Sequence, residues 1–408
     1  MVLNERFHGV NLNGNRVGVL HHIGDVCRFV FVEEYWEDPS REVLGLWFED
    51  KPNSSLKSSL RLPFWFSNLL PEGPLRKWIA ADRGVSAARE VELLLQVGGD
   101  LPGAVELIPD GASPPNLTET KPAETNAKDL LVPAAWKFSL AGVGLKFSML
   151  RDGERLTIPG KNQLGNWIVK LPDAVHPIVT INEFAMMSAA KEVGIDVPAV
   201  RLVDRSELPD LPDSVWPNGE STAYAVARFD RSPDGGRIHI EDFSQIRGFY
   251  PQDKYSGSFE TVGALSYRNR DVDSLVEYVR RMTFNMLIGN GDAHLKNWSM
   301  IYEDGRTAKL SPAYDLVSTA PYVRWPDVED LGLKFGRNRQ FSRVSWKNFA
   351  DLESKIGAKG SNLTGVVEDT VLRFDAVLSS ALLDEWKGSI FYDWIIQNFD
   401  TMSQQLLR

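Results

Sequence analysis

Strand-like and helix-like spacing of apolar residues alternate along the chain in a fixed order. Val10–Leu12 and Arg16–Leu20 flank Asn13-Gly14, a pair that favours a tight two-residue turn, so the chain is expected to open on a β-hairpin. Val26–Val32 alternates like a half-buried strand, and the aromatic run Leu60–Phe66 is expected to lead into a core. Pro74–Asp82 has a proline near its start, as helices favour, and Ala87–Val97 spaces Val91, Leu94 and Leu95 on one helical face. Gly98-Gly99 is the expected left-handed cap of that second helix, and Leu101–Val105 enters another strand. Residues 111–133 lose this periodicity and are rich in Pro, Thr, Asn and Ala.

Strand patterns return beyond that stretch. Lys137–Leu150 and Arg155–Pro159 flank Asp152-Gly153, and Asn166–Leu171 is short and apolar. A helix is expected between Pro177 and Pro198, with capping-box spacing from Thr180 to Glu183 and Gly194 at its end. Ser221–Phe229 is strand-like. Ser274–Ile288 then places Leu275, Val279, Met282 and Met286 on one helical face, and Trp346–Leu407 reads as several helices with Trp386, Phe391, Trp394 and Phe399 in the core. The pattern divides the chain into a small mixed subdomain at 1–110, a linker at 111–133, a strand-rich lobe at 134–231 and a helical lobe at 232–408. The expected class is α+β, with two lobes laid out like a protein kinase.

Composition narrows the function. The 408 residues carry a net charge of −10, which disfavours unaided binding to nucleic acid and suits a basic protein partner. One cysteine, Cys27, excludes an internal disulfide framework and a cysteine-rich zinc site. The six histidines are His8, His21, His22, His176, His239 and His294, and none has zinc-site spacing with acidic partners. With no apolar run of membrane-spanning length and no signal peptide, the expected location is the cytoplasm, away from membranes.

The chemistry concentrates between Leu287 and Leu316. Asp292 precedes Asn297 by five positions, and Asp315 follows after a strand pair. Phosphoryl transfer needs a carboxylate to orient and deprotonate the attacking hydroxyl, and oxygen ligands to hold Mg²⁺ against nucleotide phosphates. Asp292 suits the first role, and Asn297 and Asp315 suit the second. Lys296 is placed to neutralise the transferring phosphate, and His294 is expected to brace the loop. Other parts of a nucleotide site can be read upstream. Ser139-Leu-Ala-Gly142-Val-Gly144-Leu-Lys146 carries glycines that would let a backbone approach phosphates. An ordinary glycine-containing strand accounts for that segment equally well. Lys170 ends an apolar strand and Glu183 follows on a helix, as in the lysine–glutamate pair of kinases; the competing reading makes Glu183 a helix-capping partner. Ala225–Asp230 would be a hinge that reads adenine through its main chain, or simply a strand running into a turn.

Taken in order, these segments resemble the HipA family, the serine/threonine kinase toxins of bacterial toxin–antitoxin modules. Asn68–Gly73 and Gly99–Val105 resemble its N-terminal motifs. Ser139–Lys146, Trp167–Pro172, Asn182–Phe184, Val226–Arg231, Asn290–Asn297 and Pro312–Leu316 follow in the family's order. The resemblance implies ATP-dependent phosphorylation of protein serine or threonine, with Asp292 as base and Asn297 and Asp315 on Mg²⁺. It implies a nucleotide loop of Ala141, Gly142, Val143, Gly144, Leu145 and Lys146, and a hinge of Ala227, Arg228 and Phe229. Lys170 would bind phosphate oxygens, with Glu183 as its lysine–glutamate partner, and His294, Leu295, Lys296, Asn297, Tyr314 and Asp315 would complete the ATP site. Ser139 matches a position that such kinases phosphorylate on themselves, in trans, to shut off activity. The family's implied target is an aminoacyl-tRNA synthetase, glutamyl-tRNA synthetase above all, whose modification halts translation and gives growth arrest and drug tolerance. The implied partner is a HipB-like helix-turn-helix antitoxin dimer that carries operator DNA binding. Three departures stand out: Gly144 where the family has glutamine, Ala227 where some members have a bulkier polar residue, and Lys254–Thr261 without the family's Gly-Gly-Pro-Gly run. An antitoxin-binding pseudokinase and a small-molecule kinase are the alternatives, and the N-terminal motifs count against the latter.

Overall fold

A computed structural model describes residues 5–52, 54–108, 145–153, 155–157, 163–209, 211, 213–324 and 327–407. The linker at 111–133 and the segment from Ser139 to Gly144 lie outside these residues. The chain packs as two compact units. One draws on the stretches up to Lys170, Asp230–Pro251 and Tyr302–Thr307. The other is built from Leu171–Phe229, Gln252–Ile301 and Ala308–Arg408.

The first unit contains the expected hairpin. Strands Glu5–Leu12 and Asn15–Ile23 pair antiparallel, with Leu12 opposite Asn15. Asn13 and Gly14 both take positive φ, 48° and 81°, as the tight turn demands. Val26–Phe31, Leu56–Ser59 and Val105–Ile108 complete a five-stranded sheet. The aromatic run behaves differently from its sequence pattern. Leu60 is 76% exposed with φ 68°, because the chain turns there, and burial begins at Leu62. Phe64–Ser67 then forms a single helical turn that buries Trp65 and Phe66. Phe66 packs on Phe29 with ring centroids 5.0 Å apart, and Phe29 on Phe48 at 5.6 Å. The two predicted helices are Gly73–Asp82 and Glu90–Val97. The second has no left-handed glycine cap, since Gly98 stays in the right-handed region at φ −61°.

The two N-terminal motifs prove to be packing devices. The Asn68 carboxamide donates to the carbonyls of Phe64 and Phe249, at 2.9 and 2.8 Å. The Gly103 N–H donates to Asp230 Oδ2 at 2.8 Å, and Arg231 reaches Asp100 Oδ1 at 2.7 Å in a buried pair. A Cβ on Gly103 would lie 2.8 Å from the Ile240 nitrogen, and its φ is +72°, so only glycine fits. The same unit holds strands Lys146–Asp152, Arg155–Thr157 and Trp167–Lys170, the first pairing antiparallel with each of the others; Asp152, expected in the turn, is instead the last strand residue and stands opposite Arg155.

In the second unit the helix Val179–Val193 ends, as expected, on Gly194 in the left-handed region at φ 92°. Its start differs from the capping-box reading. The N-cap is Ile178, no side chain caps it, and the Thr180 hydroxyl donates instead to the Thr222 carbonyl at 2.8 Å. Strands Val200–Asp204 and Thr222–Ala227 pair beside it. Helix Val272–Leu287 is capped by Asp271, which accepts from the Ser274 N–H at 3.0 Å. Helices Trp346–Lys355, Leu363–Leu378 and Ile390–Leu406 close the chain. Phe391 and Phe399 are buried there, whereas Trp386 and Trp394 are only half-buried. The lobe expected to be helical, 232–408, also contains short strands. Lys309–Leu310 pairs with Met300 and Ile301, and Asp330–Phe335 pairs with Asn338–Gln340. Among the described residues no helix is long and apolar enough to cross a membrane.

Candidate active site

The long helix Val272–Leu287 buries its apolar face and stops abruptly, delivering the loop that carries Asp292. Gly289 makes the stop possible. Its φ is +63°, and a Cβ there would stand 2.4 Å from the Trp394 ring. Asn290 is buried and does three jobs. Its N–H donates to the Asn285 carbonyl at 2.9 Å, and its carboxamide donates to Asn285 Oδ1 at 2.8 Å. Its oxygen accepts the Asp292 N–H at 3.0 Å. The Gly291 N–H is held by Thr319 Oγ1 at 2.7 Å. A polar turn is thus fixed by internal hydrogen bonds and presents a half-exposed carboxylate.

Asn297 folds back on the same loop, donating from Nδ2 to the Asp292 carbonyl at 2.8 Å. That contact turns its carboxamide oxygen the other way. Asn290, Asn297, Tyr314 and Asp315 line one cavity. Asp315 sits at φ +54°, an uncommon backbone state for a non-glycine residue. The Tyr314 hydroxyl donates to the Lys296 carbonyl at 2.9 Å and lies 2.6 Å from Ser299 Oγ. Lys296 is buried. His294 is buried too, and burial first, with Lys254 next, pushes its imidazole down to about 3. It is therefore neutral near pH 7, in keeping with a bracing role. Its Nδ1 has no hydrogen-bond partner among the described residues.

The acidic residue on the upstream helix joins this neighbourhood. The fully buried Tyr224 phenol is held un-ionised well above its usual range by burial, then by the Glu183 and Asp315 carboxylates. Asn182, beside Glu183, forms a reciprocal buried pair with Ser318. It donates to the Ser318 carbonyl at 2.9 Å and accepts the Ser318 N–H at 3.1 Å. The helix of Glu183 is thereby pinned to the segment after Asp315. At the expected hinge the Ala227 N–H is already taken by the Ala199 carbonyl at 2.8 Å, so it is not a donor to a ligand. The Phe229 ring packs 5.7 Å from Tyr314, and Arg228 is buried.

In the first unit, Leu145 precedes the strand that Lys146 opens. Lys146 stands directly opposite Lys170 in the antiparallel register. Like charges placed opposite one another are unfavourable unless anions lie close by. Ala141, Gly142, Val143, Gly144 and Ser139 lie outside the described residues.

The donor set around Asn297 and Asp315 is made of hard oxygens, which suits Mg²⁺. Among the described residues no group of three or more His, Cys, Asp and Glu could hold a metal by itself. Such a site fits a cation that keeps most of its ligands from water and phosphate. Three neighbours were not singled out from the sequence: Asn182 as a clamp, Tyr255 and Glu329. Tyr255 donates to Asp292 Oδ1 at 2.6 Å. Glu329 lies against Gly291, and its carboxyl is raised by burial and then by Asp292. Both belong to segments remote from the loop in sequence, and only the aromatic and acidic character of 254–255 and 327–330 hinted at them.

Comparison with known proteins shows the chain's family. A model described as the HipA N-terminal domain matches residues 9–108, and one described as the HipA-like C-terminal domain matches residues 138–378. A Sinorhizobium fredii protein, Y4dM, which carries a provisional kinase name, is 42% identical over 381 residues, covering 90% of each chain. The serine/threonine-protein kinase toxin HipA of Shewanella oneidensis is 28% identical over 303 residues, covering 66% of each. In fold, the chain is similar to a structure from the complex of Shewanella oneidensis MR-1 HipA, HipB and operator DNA. The TM-score is 0.72 at 23% identity, over 98% of this chain and 97% of that one.

Proposed function

Because this chain belongs to the HipA family, we propose that it is an ATP-dependent serine/threonine protein kinase and the toxin of a HipB-type toxin–antitoxin pair. The observation that carries the reading is the placement of Asn297 and Asp315 on one cavity, with Asp292 fixed at the head of the same loop. In the reaction, the acceptor hydroxyl oxygen forms a bond to the γ-phosphorus. The bond from that phosphorus to the β,γ-bridging oxygen breaks, and ADP leaves. Asp292 takes the hydroxyl proton. Asn297 and Asp315 would hold Mg²⁺, whose charge offsets that of the phosphates. Lys296 faces the transferred group. By family resemblance Lys170 and Lys146, which stand opposite each other across two strands, would carry phosphate oxygens. Tyr314, His294 and Leu295 shape the site, and the hinge from Ala227 to Phe229 offers adenine groups other than the Ala227 N–H. By family resemblance the acceptor is an aminoacyl-tRNA synthetase, glutamyl-tRNA synthetase first, and Ser139 is the self-phosphorylated, inactivating position. A basic helix-turn-helix antitoxin dimer, which itself contacts the operator, suits a toxin of net charge −10.

The test is mass spectrometry of the purified, phosphatase-treated chain after incubation with Mg-ATP. Phosphate gained at Ser139 is expected, and Asp292→Asn should slow that gain by roughly 10²- to 10⁴-fold with an unchanged melting temperature. An unimpaired Asp292→Asn variant would remove Asp292 from the mechanism.

A further inference from the structure

We propose that Tyr255 is a positioning residue for Asp292, held in place by Arg339. The inference rests on Asp292 being the base.

The Asp292 side chain is 46% exposed, so packing alone does not select its rotamer. Something must, because a base displaced from its acceptor by an ångström loses much of its advantage. The Tyr255 O–H donates to Oδ1 at 2.6 Å, the short distance of a hydrogen bond to an ionised acceptor. His294 Nε2 stands 3.8 Å from the same oxygen, beyond hydrogen-bond range. Instead His294 supplies a wall. The Tyr255 ring meets it edge-on, centroids 5.1 Å apart at 78°.

The backbone that carries the phenol is anchored from two sides. The Lys254 carbonyl accepts the Leu295 N–H at 3.1 Å, which joins this segment to the catalytic loop. The Arg339 guanidinium donates to the Tyr255 carbonyl and, at 3.0 Å, to the Gly332 carbonyl. Gly332 lies so close to the loop that a Cβ there would come within 2.8 Å of the Ala293 backbone. Segment 254–255, the catalytic loop and the strand Asp330–Phe335 thus form a closed frame around Asp292. Tyr255 is 39% exposed and contributes little to the core, so this tethering is out of proportion to any packing role.

The experiment measures the rate of phosphate incorporation into the full chain, phosphatase-treated beforehand, against Mg-ATP concentration. Tyr255→Phe keeps the ring on His294 and deletes only the donor. It should lower the saturating rate about 10- to 100-fold while leaving the ATP concentration for half-maximal rate unchanged. 4-Aminophenylalanine at position 255 restores a donor and should recover most of the rate. Arg339→Gln loosens the anchor without touching the phenol and should give an intermediate loss. A Tyr255→Phe rate equal to or above wild type overturns the proposal, the latter meaning that the phenol blocks the acceptor. A loss expressed only as weaker ATP binding also overturns it. Asp292→Asn, run in parallel, separates the two readings. If it is inactive and Tyr255→Phe keeps the wild-type rate, only this inference falls. If it is fully active, the base assignment falls and this inference with it.

Discussion

At the scale of single residues, burial sets the charge states. Glu241 is fully buried and accepts from the Leu46 N–H at 2.7 Å, Trp65 Nε1 at 3.1 Å and the Tyr302 hydroxyl at 2.5 Å. Hydrogen-bond donors favour the ionised form, but desolvation wins and lifts its carboxyl to about 7. The folded chain therefore keeps this proton up to about pH 7, whereas the unfolded chain gives it up near 4.5. Stability from this group is full below the lower value and is lost as pH rises through the upper one, on the order of 3 kcal/mol in all. Glu241→Gln removes this titration. Melting temperature measured from pH 4.5 to 7.5 should fall more with rising pH in the wild type than in the variant. Nothing around Glu241 in the sequence announced this. Its donors come from positions 46, 65 and 302, so the site exists only once the chain has folded.

At the scale of elements, the helix Val272–Leu287 and the loop after it were legible because amphipathic spacing and a Gly-Asn-Gly-Asp turn are local signals. The need for glycine at 289 was half legible. A helix stop favours it, but the clash with Trp394 comes from a helix about a hundred residues downstream. Gly289→Ala combines a left-handed backbone with that contact. We expect it to cost roughly 1–3 kcal/mol, read as a lower urea midpoint, and to depress phosphorylation through the displaced loop. The opposite outcome appears at Thr180 and Glu183. Their spacing fits a capping box, yet the Thr180 hydroxyl finds a strand carbonyl instead, and Glu183 is buried in the neighbourhood of Asp315. The helix begins at Val179 with Ile178 as its N-cap, so Thr180 lies inside it and cannot act as the cap.

At the scale of the whole molecule, the chain does not divide where its composition changes. The first compact unit recruits Asp230–Pro251 and Tyr302–Thr307 from far downstream. Those stretches supply Asp230, which accepts the Gly103 N–H, and Arg231, which pairs with buried Asp100. A fragment of residues 5–108 lacks Asp230 and Arg231, and with them the buried hydrogen bond from Gly103 and the buried ion pair with Asp100; removing one member of a buried ion pair is strongly unfavourable. Such a fragment should be degraded in limited proteolysis under conditions that leave the full chain intact.

The sequence by itself determined the local elements, the α+β order and the set of candidate groups from Lys170 to Asp315. Helix periodicity, tight turns and five-residue loop spacing are properties of neighbouring residues, and a linear pattern records them. Only the tertiary structure decided what surrounds those groups: the Tyr255 phenol on Asp292, the Asn182 clamp on Ser318, the cross-strand Lys146–Lys170 pair and the buried Glu241. Each depends on residues distant along the chain whose side chains meet because apolar burial, blind to sequence separation, folds them together.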